Sequence, residues 1–231
     1  MSDVLSQLLL LQLGDSMFPS GAFAHSYGLE QLAREHVVQT PDDLQRFVDS
    51  VLRQALAPCD AVAALRGFEA AKANDVASVL DADRALLRTK AAFELRAASF
   101  ATGRRLIDEV SPHIDAPFLH EYASVVKADR ALGTHAVAFG VVCAALGVED
   151  AESVVAALLL LSVTGVLQAS MRLLPISHRD VQATLHHLRP VIAALASRVV
   201  AGGARPLRSF QPLQDIASMR HEAASARLFA S

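Results

Sequence analysis

The stretch Thr40–Pro58, TPDDLQRFVDSVLRQALAP, decides how the rest of the chain is read. Leu44, Phe47, Val48, Val51, Leu52 and Ala55 recur within it at the i, i+3, i+4, i+7 spacing of one buried face of an α-helix. Thr40 supplies an N-cap hydroxyl, and Pro41 takes the first helical position, where its missing N–H has no partner to lose. Asp42 and Asp43 in the first turn oppose the helix macrodipole, which accounts for this acidic pair without acid–base chemistry. Pro58 is expected to end the helix, with Asp60 capping the next one.

The same periodicity runs outward in both directions. Helices are expected over roughly 60–74, 75–88, 90–110, 117–131, 134–146, 151–173 and 179–201, the last continuing through Pro190. With a Leu-rich segment before Gly14 and a short apolar one after Gly28, this predicts an all-α, single-domain bundle of about nine helices over 1–204, followed by a flexible tail, 205–231. The composition agrees: the 231 residues are 52% hydrophobic but only 5% aromatic, with no Trp. The apolar content is Ala, Leu and Val, and Ala and Leu are strong helix formers. So apolar a chain either has a large interior or leaves apolar surface for partners to cover. Ala131–Val148 and Ser153–Met171 approach the length of a membrane span. Both carry polar residues and lack flanking Lys/Arg clusters or an aromatic belt, so they read as buried core helices.

Several function classes lose support from the residues themselves. A net charge of −3 lacks the dense basic face of a nucleic-acid binder, although the C-terminal end is mildly basic, with Arg205, Arg208, Arg220 and Arg227 against Asp215 and Glu222. Cys59 and Cys143 have no CxxC spacing and suit small core positions in a reducing cytoplasm. Met1-Ser2-Asp3-Val4 lacks the basic n-region of a signal peptide. Gly202-Gly203 is not followed by the Lys-Ser/Thr of a phosphate loop, and there is no GxSxG elbow. His178, His186 and His187 lack the i, i+4 spacing that brings two imidazoles onto one metal, and no Glu-x-x-His pair occurs. No catalytic residue, metal ligand or cofactor is expected. The competing class is an all-helical small-molecule or cofactor-binding protein, which a visible spectrum and metal content would reveal.

Two places keep open readings. Gly14–Gly28, GDSMFPSGAFAHSYG, is a glycine- and proline-punctuated junction between apolar helices. It either presents Phe23 and His25 to a partner or uses Phe23 to plug the junction. Glu94, Arg96 and Arg104 lie beside apolar positions in an Ala-rich helix, as a buried charge network, an interface or a solvated face.

Three blocks, in order and covering essentially the whole chain, resemble the urease accessory protein UreF family. The first is Leu8–Glu30, LLLLQLGDSMFPSGAFAHSYGLE, with Pro19, Gly21, Phe23, His25, Ser26 and Glu30 at the signature positions. The second is Lys90–Leu106, KAAFELRAASFATGRRL, carrying Glu94, Arg96 and Arg104, and continuing through Thr134–Gly147, THAVAFGVVCAALG. The third is Asp215–Ser231, DIASMRHEAASARLFAS, with Asp215, Ser218, Met219, Arg220, His221, Glu222, Arg227, Leu228 and Phe229. After Pro175 only Asp180 and Gln182 of a further family run match, and Ala226 replaces the usual hydroxyl before Arg227.

The resemblance implies an all-α homodimer that binds UreD (also called UreH), recruits the GTPase UreG and engages the urease apoprotein, so that nickel reaches the urease active site. It implies protein-binding roles for the residues just named and no catalysis. The tail is too short to be a stable helix alone in water. It is expected to be disordered or loosely packed in the free protein and to order against UreD, with Ile216 and Met219 on one side, Leu228 and Phe229 as anchors, and Arg227 pairing with an acid.

Overall fold

The computed structural model describes residues 3–15, 17–19, 26–203 and 205–223. In chain order the helices are α1 (Asp3–Leu13), α2 (Leu29–Arg34), α3 (Pro41–Val51), a π-helical stretch (Leu52–Ala61), α4 (Val62–Lys72), α5 (Val76–Thr89) and α6 (Phe93–Val110). After a single 3-10 turn follow α7 (Pro117–Lys127), α8 (His135–Ala145), α9 (Ala151–Leu173), α10 (His178–Gly202) and α11 (Pro212–Glu222). No strand occurs among the described residues, and the all-α expectation holds.

Capping residues set several boundaries. Thr40 and Asp43 form a capping box at α3, the hydroxyl accepting from Asp43 N–H and the carboxylate from Thr40 N–H. Ser177 and Asp180 repeat it at α10, and Asp75 and Asp150 cap α5 and α9. These hydrogen bonds hold the carboxyls of Asp43, Asp75, Asp150 and Asp180 below the usual aspartate range. A depressed folded-state pKa contributes stability above the unfolded value, near ~4, that is lost as pH falls through the folded one. Asp43→Asn keeps an acceptor but does not titrate, so it is expected to flatten the acid limb of the stability curve below about pH 4. Urea unfolding across that range checks this; an acid limb identical to wild type would refute it.

Pro58 does not end its helix. The backbone continues from α3 into α4 through the π-helical stretch, with Pro58 inside it. A proline in a helix strips a donor from the carbonyl one turn back. Here Gln54 O accepts from Phe210 N–H at 3.0 Å, and Pro58 O accepts from Arg208 N–H at 3.1 Å. Phe210 N–H thus stands in for the donor that Pro58 lacks, and Arg208 N–H ties the same segment to the Pro58 carbonyl.

Two hydrophobic clusters meet at α4 and α9. On one side Ala63, Ala64 and Phe68 pack with α5, α7 and α8, against Val154, Leu158 and Leu161 of α9. On the other, Val62 and Leu65 pack with α2, α3 and α10, against Val155, Leu159, Val163 and Val166. A helix covered on both flanks is apolar nearly all round. This is why α9, the described helix long and apolar enough to cross a membrane, is 67% buried inside the body over that apolar window. In α8, Ala136–Cys143 is buried throughout.

Polar staples fix the loops. Asp83 of α5, 1% exposed, accepts from Tyr122 Oη–H at 2.9 Å, Gly133 N–H at 3.1 Å, Thr134 N–H at 2.9 Å and the Thr134 hydroxyl. Lys90, between α5 and α6, pairs with Asp60 at 2.8 Å with both side chains about nine-tenths buried. Burial alone would pull the Lys90 pKa down, but Asp60, Cys59 and Tyr27 outweigh it and the net direction is up. Cys59 and Cys143 are buried free thiols, as expected, and burial pushes Cys59 up to about 12.

Candidate partner-docking surface at α11

The inner side of α11 is polar. Gln214, Ala217, Ser218 and His221 are buried against the body, and the helix packs on α2 and α6. His221 is fully buried between two carboxylates from different helices. Its Nδ1 lies 2.8 Å from Glu94 Oε2 of α6. Its Nε2 lies 3.2 Å from Glu30 Oε2 of α2, within ion-pair range but not aligned as a hydrogen bond. Glu30 is also held by Arg34 at 2.5 Å, one turn along α2.

Neighbouring contacts close the joint. Glu222 Oε1 accepts from Glu94 N–H at 3.2 Å, satisfying a donor in the first turn of α6. At the rim Arg220 pairs with Glu35 at 3.1 Å. Gly28 has φ of +82°, and a Cβ there would sit 3.0 Å from Gln214 O and 3.1 Å from the Ala217 methyl. Glycine therefore allows both the left-handed backbone and the close approach of α11.

Pro212–Glu222 is thus a docked helix, where a loosely packed segment was expected. Its isolated instability is offset by the contact of His221 with Glu94 and by burial of Ala217. His221→Ala would leave Glu30 and Glu94 facing a void at the joint, and α11 should open locally. Tryptic cleavage at Arg208 or Arg220 is expected to accelerate by roughly tenfold or more, with a much smaller change in melting temperature. Cleavage at the wild-type rate would show that the His221 contacts do not hold the helix.

The outer side of α11 is apolar. Leu213, Ile216 and Met219, at successive i+3 positions, are 45%, 50% and 45% exposed. Phe210 just before α11 and Phe93 at the start of α6 are also exposed. Ile216 and Met219 do share a side as the sequence predicts, but it faces outward.

The other residues singled out from sequence divide by environment. Glu30, Glu94, Ser218 and His221 lie within the joint, with Glu222 at its edge, and Ser26 is fully buried just before α2. Arg96 donates to the carbonyls of Lys90 and Ala91, and so holds the turn into α6. Arg104 pairs with Asp129 at 2.9 Å and donates to Leu132 O. Asp180 is the capping carboxylate of α10, and Gln182 is exposed on that helix. Pro19, Met219 and Arg220 are exposed, and Asp215 is half-buried, its carboxyl raised by burial. Gly21, Phe23, His25, Arg227, Leu228 and Phe229 lie outside the described residues.

Sequence reading missed Asp83 and Lys90, and it gave Asp60 the wrong role: with no helix break after Pro58 there is no N-terminus to cap, and Asp60 lies inside the π-helical stretch paired with Lys90. The signal for Asp83 was its helical spacing from Val79 and Leu86 and its place beside Ala82, all on one buried side. Among the described residues no group of three or more His, Cys, Asp or Glu side chains is arranged to hold a metal ion.

Comparison with known proteins gives the chain's family. The UreF family model matches residues 38–189. The urease accessory protein UreF of Bacillus sp. (strain TB-90) is 30% identical over 224 residues, spanning 97% of this chain and 98% of that protein. The urease accessory protein UreF of Trichodesmium erythraeum (strain IMS101) is 32% identical over 234 residues, spanning 100% and 99%. With agreement running nearly end to end, through both the helical body and the α11 segment, the chain belongs to the UreF family of urease accessory proteins.

Proposed function

We propose that this chain is a non-catalytic scaffold for urease maturation. It binds UreD (UreH) through the outer stripe of α11, and the complex recruits the GTPase UreG and engages the urease apoprotein so that nickel is inserted. In this reading it works as a cytoplasmic homodimer, modulates GTP hydrolysis by UreG, and uses its body, 1–204, to present a partner-binding segment, 205–231. The buried, unreactive thiols fit a reducing compartment.

The observation that carries the reading is the inverted amphipathicity of α11. A helix that belongs only to its own fold turns its apolar side inward. This one buries His221 and Ser218 and leaves Leu213, Ile216 and Met219 half-exposed, which suits an apolar side covered by another protein.

Co-purification with UreD and UreG tests it, comparing wild type with an Ile216→Asp/Met219→Asp double variant. Both side chains are half-exposed, so the melting temperature should hold while UreD binding weakens by roughly tenfold or more. Wild-type binding by the variant would place the UreD contact elsewhere. Failure of folded wild-type protein to bind either partner would remove the scaffold reading.

A further inference from the structure

Each ring nitrogen of His221 faces a carboxylate. Nδ1 lies 2.8 Å from Glu94 Oε2, and Nε2 lies 3.2 Å from Glu30 Oε2. The ring is fully buried, and the side chains of Glu30 and Glu94 are only 1% and 11% exposed. A neutral imidazole has one N–H and one lone pair, so it donates to one carboxylate and turns the lone pair towards the other. An imidazolium carries an N–H on both nitrogens and a charge opposite to both neighbours. Away from water, charge-assisted contacts of this kind strengthen, and a lone pair held against a carboxylate oxygen becomes costly.

The described charged groups around the ring come from three elements. Helix α2 supplies Glu30, which Arg34 also holds at 2.5 Å, and Glu35, which Arg220 takes at the rim. Helix α6 supplies Glu94. On α11 itself Glu222 is engaged with Glu94 N–H, and Asp215 borders a small cavity shared with Asp60 and Lys90.

The rest of the inner side of α11 adds little hold. Ala217 is its buried apolar side chain. The Gln214 side-chain oxygen and the Ser218 hydroxyl are buried there without a hydrogen-bond partner among the described residues, which opposes docking. The helix therefore leans chiefly on His221.

We propose that α11 is a proton-dependent latch: His221 docks as an imidazolium between Glu30 and Glu94, and loss of its proton frees the helix from α2 and α6. Histidine is the side chain whose charge ordinarily changes in the neutral range. The docked form holds the proton, and the open form, with its imidazole in water, gives it up. Docking is thus strongest towards acid and weakens as pH rises. Leu213, Ile216 and Met219 ride on the same helix, so the placement of the outer stripe follows the latch. The inference does not rest on which protein covers that stripe.

Hydrogen–deuterium exchange of the full chain at about pH 6 and about pH 8 tests it, each amide rate being divided by its intrinsic rate at that pH. Protection over 212–222 is expected to fall by roughly tenfold or more from the lower pH to the higher, while protection in α8 holds. His221→Gln can still hydrogen-bond but does not titrate, so its α11 protection should not change with pH. Asp215→Asn removes the neighbouring titratable group and should keep the wild-type dependence. Ring-nitrogen NMR shifts of His221 give a readout that needs no variant: both nitrogens should be protonated at about pH 6 in the folded protein. The proposal is overturned by a single neutral tautomer under those conditions, or by wild-type α11 protection that is constant or rises with pH. It is equally overturned if His221→Gln keeps the pH dependence or Asp215→Asn abolishes it.

Discussion

Gly140→Ala is expected to lower stability by roughly 3 kcal/mol or more, a fall of about 6–12 °C in melting temperature for a chain of this size. Helices α4 and α8 touch backbone to backbone. A Cβ at Gly140 would overlap the Ala64 carbonyl oxygen and lie 2.8 Å from Phe68 N, and one at Gly67 would lie 2.6 Å from Val137 O. The obstacle in each case is main chain, so no side-chain rotation relieves it and the helices must part. Their separation would loosen Ala63, Phe68, Val137 and Phe139, all in one core cluster. Alanine's helix propensity returns only about 1 kcal/mol relative to glycine. The matched control is Gly14→Ala, where the added methyl meets nothing nearer than Leu10 O at 3.4 Å. Equal melting temperatures for the two variants would mean that α4 and α8 are not in this contact.

Asp83→Ala is expected to cost about 3–5 kcal/mol, because it strips the acceptor from four buried donors at once. Tyr122 Oη–H, the Gly133 and Thr134 N–H groups and the Thr134 hydroxyl all converge on that carboxylate. Together they fix the turn that leads into α8. The pH dependence distinguishes this site from the helix caps. Burial raises the Asp83 carboxyl above its ordinary value, and the hydrogen bonds only partly pull it back. A raised folded-state pKa means that the folded protein takes up the proton first. The site therefore gains stability as pH falls from above the folded value towards the unfolded one near ~4. The deficit of the alanine variant should widen over that window on acidification, whereas the capping aspartates act in the opposite sense. Urea unfolding at a series of pH values checks this, and a deficit that shrinks towards acid would contradict it.

The segment after α10 donates to the Gln54 and Pro58 carbonyls, carries Arg205 and Arg208, and leads into α11. Its path explains why a proline in the middle of a long helix is tolerated.

Much of this was legible in the residues alone. Thr40 and Asp75 announce helix starts because capping is local chemistry between near neighbours. The Leu44–Ala55 periodicity gives the buried side of α3 and its continuation, because a helix repeats its faces whatever it packs on. The uncharged runs that became α8 and α9 read as interior for the same reason. The family resemblance rested on spaced blocks that needed no coordinates.

What the residues did not disclose was which distant group answers which local need. Pro58 reads as a stop until Phe210 and Arg208 supply donors from the far end of the chain. Periodicity identifies the stripe of Ile216 and Met219 but gives no sign for inside and outside. That sign comes from Glu30 and Glu94, brought from two separate helices to either side of His221, so that the polar side of α11 is the better one to bury. The sequence by itself determined most of the helices, the caps at Thr40 and Asp75, and the family. Only the tertiary structure decided which side of α11 faces outward and how Pro58 is accommodated, because both depend on electrostatic and hydrogen-bond partners that lie far apart in the chain and meet only in the fold.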